Sequence, residues 1–306
     1  MSKYQQAEQF MRALVARTGL EPPSATPRRY LWTDAFAVCN LITLHQQGRG
    51  ENGEYLTLAR KLVDQVHHTL GRHRPDDARR GWLSGLSEEE GAAHPTRGGM
   101  RIGKPLSERQ AGEPPDRELE WDQDGQYFHY LTKWMHALAS MARATGETQY
   151  LVWAIELAKA VHPRFTHSGG TRMYWKMSVD LSRPLVSSTG QHDALDALVT
   201  YSALRVAARE AALADPALDL SPELADAARM CAKGRQVDGI GQTTFKNRER
   251  LLQEGEKLKS YEHLANRIEA FWMKEENRMA KSWTGHENIN AVMLATTLAP
   301  DAFLEV

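Results

Sequence analysis

Apolar residues recur at spacings of three and four along most of the chain, the period of one helix face. The clearest instance is doubled. Tyr55, Leu56, Ala59, Leu62, Val66 and His67 return 95 positions later as Tyr150, Leu151, Ala154, Leu157, Val161 and His162. A glycine-bearing turn precedes each copy, Gly48-Arg49-Gly50-Glu51-Asn52-Gly53 and Thr145-Gly146-Glu147-Thr148. Another amphipathic run precedes each turn, over 29–47 and 124–144. Glycine takes the left-handed conformation that ends a helix, so the pattern predicts two helix–turn–helix hairpins. A third is predicted over 191–212 and 221–234, with Asp219 or Ser221 capping its second helix and Pro222 in the first turn. Further helices are expected at 3–17, 258–280 and 286–298. The stretch 235–257 stays open: Gly239-Ile240-Gly241 argues for a loop, Glu249 to Lys257 for a short helix.

Two segments break the helical period. Residues 73–121 are rich in Gly, Pro and Arg and far longer than an ordinary connection, which marks a functional or disordered loop. Residues 171–186 alternate polar and apolar side chains and predict a short β-hairpin. No change of composition marks a boundary, so residues 1–306 read as a single all-α domain.

Composition narrows the partners. The chain has 306 residues, 42% apolar and 25% charged, and a formal net charge of −1. Without a basic excess, nucleic acid is not an expected partner. Only Cys39 and Cys231 occur, and Cys39 sits in an apolar helical run, so neither a disulfide framework nor a cysteine zinc site is expected. His67 and His68 are adjacent and diverge around a helix, so no metal and no cofactor is implied. No apolar run approaches the about 18 residues of a membrane span, and Met1-Ser2-Lys3-Tyr4 opens no signal peptide. The expectation is a cytoplasmic protein with no membrane partner.

Three polar-aromatic clusters each precede a predicted helix. The first, Trp121-Asp122-Gln123-Asp124-Gly125-Gln126-Tyr127-Phe128-His129-Tyr130, offers two carboxylates beside sugar-stacking rings, although Asp122 alone would serve as a helix cap. The second, Gln191-His192-Asp193-Ala194-Leu195-Asp196, puts Asp193 and Asp196 on one helix face. The third is Trp283-Thr284-Gly285-His286-Glu287. In the long loop, Arg79-Arg80-Gly81-Trp82 and Gly98-Gly99-Met100-Arg101-Ile102-Gly103-Lys104 suit an anion clamp but lack the spacing of a phosphate-binding Walker loop. Arg172 and Lys176 lie on the extended segment and are candidates to line a cleft.

Repeated hairpins with their long loops on one side resemble the α/α toroid of the six-hairpin glycosidase superfamily. The phrase Ala144-Thr145-Gly146-Glu147-Thr148-Gln149-Tyr150-Leu151, continued by Ala154, Leu157 and Ala158, is similar to hairpins found there and in acylglucosamine-epimerase-like proteins. The likeness covers 29–211 best, and with fewer helices predicted than a full six-hairpin ring holds, the toroid is either incomplete or closed by irregular segments. It implies that inner-helix ends carry the active site, which selects the three clusters. Glycoside hydrolysis needs two carboxyl groups about 5–10 Å apart. The expected pair is Asp124 and Asp193, with His192, Asp122 and His286 as further catalytic candidates. Trp121, Tyr127, His129, Trp283, Arg80, Arg101 and Lys176 are expected to bind a small, sugar-like substrate; an oligomer is left open. Gly285-His286-Glu287 is similar to the epimerase-like branch, which implies His192 and His286 on opposite faces of a substrate. A terpenoid-cyclase-like enzyme and a non-catalytic helical-repeat scaffold are the other readings.

Overall fold

A computed structural model of the chain describes residues 2–116, 118–188, 190, 192–233 and 262–304. The open stretch 235–257, the first residues of the helix expected at 258–280, and Gln191 lie outside them. In chain order the helices are α1 (Lys3–Arg17), α2 (Leu31–Gln46), α3 (Glu54–Leu70), α4 (Glu88–Ala93), α5 (Leu119–Asp122), α6 (Phe128–Thr145), α7 (Thr148–Phe165), α8 (Asp193–Glu210) and α9 (Ser221–Lys233). After the undescribed stretch come α10 (Glu262–Met273), α11 (Glu275–Arg278), α12 (Lys281–Thr284), α13 (Glu287–Leu298) and α14 (Asp301–Leu304).

The predicted turns behave as glycine turns should. Gly146 ends α6 at φ 74°, and Gly48 follows α2 at φ 63°. Asp219 accepts the Ser221 amide at 3.1 Å at the start of α9. What the turns join is two layers. α2 is apolar on nearly every side and is buried from Leu31 to Leu44 except at Trp32, as a helix enclosed by others must be. Tyr30 meets Tyr130 and Trp32 meets His129 where α2 and α6 begin, so these helices run parallel. His129–Asp193 and Lys133–Asp196 contacts align α6 with α8 in the same sense. Asn40 bonds the Val292 carbonyl and Thr296, and Thr43 bonds the Ala302 amide, so α13 also runs with α2. The result is a row, α13–α2–α6–α8, with all starts at one end. Antiparallel partners α1, α3, α7 and α9 cover it.

The repeat is the outer half of this design. Its shared positions Tyr, Ala, Leu, Val and His are buried in both α3 and α7. Each repeat histidine reaches the next inner helix. His67 accepts from Trp134 Nε1 at 3.3 Å, and His162 Nδ1 lies 3.4 Å from the Tyr201 hydroxyl. Burial pushes them down to about 3 and about 4, which keeps both rings neutral.

The expected hairpin at 171–186 is present in a finer form. Strand β1 (Gln126–Tyr127) pairs antiparallel with β4 (Lys176–Met177), which pairs with β5 (Pro184–Val186). Strands β2 (Thr166–His167) and β3 (Arg172–Met173) make a separate ladder. The long loop is ordered over the start of the inner row. Buried Gln126 holds it there, accepting from Met100 N at 2.8 Å and donating to Gly98 O and Val179 O at 3.1 and 2.7 Å. A Cβ on Gly99, at φ 76°, would lie 2.0 Å from Gln126 Oε1, so these glycines serve close packing. No described helix is long and apolar enough to cross a membrane.

Candidate functional site

The first cluster divides into a buried foundation and an open face. Asp124 is wholly buried, paired with Arg101, and accepts from the Gly103 and Gly125 amides at 3.0 Å each. Arg101 gives its remaining donors to the Thr69 and Arg72 carbonyls at 2.6 and 2.7 Å. The pair ties the loop to the end of α3. Both Asp124 oxygens accept hydrogen bonds and both side chains are buried, so Asp124 and Arg101 fasten the loop.

Lys176 is a second fastening. It is fully buried, and Nζ donates to Glu120 O, Glu120 Oε1 and Gln123 O at 2.8, 2.9 and 2.9 Å, lying 5.4 Å from the Tyr127 ring centre. Burial lowers its pKa against the opposing pull of Glu120. Arg109 takes the other Glu120 oxygen at 3.1 Å. Short α5, which carries Trp121, is thereby clamped to β4.

On this base stands an aromatic group. Trp175 meets Trp121 edge-on at 5.4 Å, Tyr127 at 5.0 Å and His129 in parallel at 6.4 Å. Tyr127 stacks on His129 at 5.4 Å. Trp121, Tyr127 and Trp175 wall a cleft of about 500 Å³ whose polar rim includes Arg109, Glu120 and Ser188. Trp121 is 58% exposed at the mouth. Beneath, the Tyr30 and Tyr130 hydroxyls bond each other at 2.5 Å.

His129 separates the cleft from Asp193. Its Nδ1 lies 3.7 Å from Asp193 Oδ1. Asp193 is 2% exposed, and its Oδ2 has no well-formed hydrogen bond among the described residues. Burial first, and then the charge of Asp196, push Asp193 up to about 7. Burial pushes His129 down to about 4. One turn along, Lys133 pairs with Asp196 at 3.2 Å. Asp193 is the first residue of α8, but no side chain caps that helix, so capping does not account for the carboxyl group. A Cβ on Gly190 would lie 2.2 Å from Asp193 Oδ2; the glycine makes room for it.

The other expected residues stand apart. Asp122 is exposed on α5 and does not cap α6, which begins at Phe128 with no side-chain cap. His192 is exposed at the head of α8. Arg80 is exposed and bonds only the adjacent Arg79 carbonyl among the described hydrogen bonds. Trp283 is buried against Phe10 and Trp272, and His286 is exposed next to Glu287, which pairs with Arg17 at 2.7 Å. The structure therefore joins the first two clusters and leaves the third on the α1 side. Trp175 and Lys133 also stand here and escaped the sequence reading. Trp175 sits in the bend between β3 and β4, where no periodicity in the sequence could assign its direction.

No family model matches the chain, and no curated protein matches it in sequence.

Proposed function

We propose that this protein is a carbohydrate-active enzyme of the glycoside hydrolase type, working by acid/base chemistry at Asp193 beside the aromatic cleft. The carrying observation is the buried carboxyl group of Asp193, held next to His129 behind a wall of three large rings. Flat rings stack on the apolar face of a sugar, and a carboxyl group ionising near neutrality is suited to protonate a leaving oxygen. With Asp124 sealed under Arg101, the second carboxyl group falls to Asp196. Side chains three apart on a helix are neighbours, so Asp193 and Asp196 lie on one face of α8. Asp193 and Asp196 also differ in environment, one desolvated and one paired with Lys133, the usual way of assigning acid and base. The row of parallel inner helices with antiparallel outer partners supports reading the fold as part of an α/α toroid, and the site at helix starts suits that reading.

The test is a thermal-shift and turnover screen of neutral and acidic glycosides on wild type and Asp193→Asn. A glycoside that stabilises both proteins but is cleaved only by wild type, with label from ¹⁸O-water in the product, supports the proposal. Turnover retained by Asp193→Asn would sink it. Conversion without label would instead favour an isomerase.

A further inference from the structure

The loop segment from Gly98 to Lys104 carries the glycines and cations of an anion clamp, and the acid/base chemistry at Asp193 uses none of it. Arg101 is taken up by Asp124. Among the other cations wholly or partly buried in 71–121, Arg72, Arg74, Arg79 and Arg109 pair with Glu88, Asp76, Asp77 and Glu120. Lys104 is the exception among the described residues. It is partly buried, yet its Nζ makes no hydrogen bond or ion pair and stays open to solvent. A partly desolvated ammonium without a counter-charge is unfavourable, and an anion arriving from solvent would offset that.

The loop fixes where this charge stands. Lys104 N donates to Asp124 Oδ1 at 3.4 Å, and the Lys104 carbonyl accepts from Arg74 Nη1 at 2.7 Å. Nζ lies 5.6 Å from the centre of the Tyr30 ring, a cation–π contact that keeps the ammonium at the start of α2. From there half-buried rings lead to the acid. Tyr30 meets Tyr130 at 5.6 Å, Tyr130 meets Trp32 at 5.2 Å and His129 at 4.9 Å, and His129 faces Asp193. Tyr30, Trp32 and Tyr130 do not line the aromatic cleft, so they form a second flank beside His129, with Lys104 at its end.

We propose that the substrate is a glycoside bearing a carboxylate, as a uronic acid does, and that Lys104 binds this group while the sugar lies along the second flank. The inference rests on the glycosidase reading and names its substrate class. An ammonium is a compact point charge and suits a single carboxylate. The guanidinium forks that would grip a phosphate on two edges, those of Arg74, Arg101 and Arg109, already hold carboxylates. A neutral sugar would leave the ammonium without a counter-charge, so charge sets the preference.

Calorimetric titration of the full chain with methyl glucuronosides, methyl glucosides and methyl glucoside 6-phosphates, both anomers of each, tests it. These ligands differ only in the group on the carbon outside the ring. A glucuronoside should bind at least about tenfold more tightly than the matching glucoside, the expected worth of a charge-assisted hydrogen bond. Added salt should shrink that preference. Lys104→Met should erase it while the circular dichroism spectrum stays native, and Lys104→Arg should retain it. Equal or weaker binding of the glucuronosides, no saturable heat from them, tighter binding of a 6-phosphate, or a preference that survives in folded Lys104→Met would each overturn the inference. Binding is read without turnover, which separates the two readings. A glucuronoside bound through Lys104 but never cleaved sinks the hydrolase alone; glycosides cleaved without this preference sink the role of Lys104 alone.

Discussion

Asp124 and Asp193 are the same residue in opposite circumstances. Asp124 is surrounded by donors, while Asp193 is desolvated and its Oδ2 has no well-formed hydrogen bond among the described residues. Replacing Arg101 by Met would leave a buried carboxylate uncompensated, which costs about 3–5 kcal/mol; urea denaturation should show a loss of that size. Asp193 gives the reverse sign. Its folded value is about 7, against about 3.9 for the unfolded chain. Folding therefore takes up a proton between those values, and stability is lost as pH rises through that window. Asp193→Asn should be more stable than wild type at pH about 8 and lose the advantage near pH 4, since its amide never ionises. The same change should lower kcat/KM on a glycoside by about 10²–10⁴-fold, the usual range for a lost acid. Wild-type turnover should decline above pH about 7 as the acid deprotonates. Gly190→Ala tests placement. Its Cβ would collide with Asp193 Oδ2, so activity should drop while the melting temperature changes little.

At the scale of elements, the local period was enough to place α1, α2, α3, α7, α8, α9 and α13 within a few residues. Apolar spacing, glycine stops and Pro222 all act within a turn or two of the chain. Short α4, α5, α12 and α14 were not legible, because four to six residues carry too little period and these pieces are set by what they dock against. The repeat histidines show another gap. They were readable as part of a helix face, but not as links to Trp134 and Tyr201 on the following inner helices. Because burial depresses both, the unfolded chain binds more protons than the folded one below about pH 6.5. Their contribution is complete above that pH and is lost as pH falls toward 4. His67→Phe, which cannot be protonated, should flatten the fall in the urea midpoint between pH 7 and 4.5, a shallower slope being the expected result.

For the whole molecule, the row of inner helices brings chain-distant parts onto one end and closes the other with the last described helix. There α14 sends Phe303 onto Phe36 at 4.6 Å and onto His136 at 5.2 Å, while Thr43 holds the Ala302 amide at 3.0 Å. Phe303→Ala should open the seam between α2 and α6 and cost about 1–3 kcal/mol, less than a fully enclosed ring because this one is only partly buried. A calorimetric melt unchanged by the substitution would show that the seam does not depend on it.

Sequence by itself determined the helical class, the hairpins and their ends, and the extended excursion near 171–186. These follow from spacing, capping and backbone preference, which operate between residues a few positions apart. Tertiary structure alone decided which carboxyl group is fastened by an arginine and which stands beside a histidine, that Trp175 joins Trp121 and Tyr127, and that the Trp283–His286 cluster stands on the α1 side. Desolvation and ion pairing depend on atoms delivered from distant parts of the chain. Asp124 is neutralised by an arginine 23 positions away, and Asp193 faces a histidine on another helix.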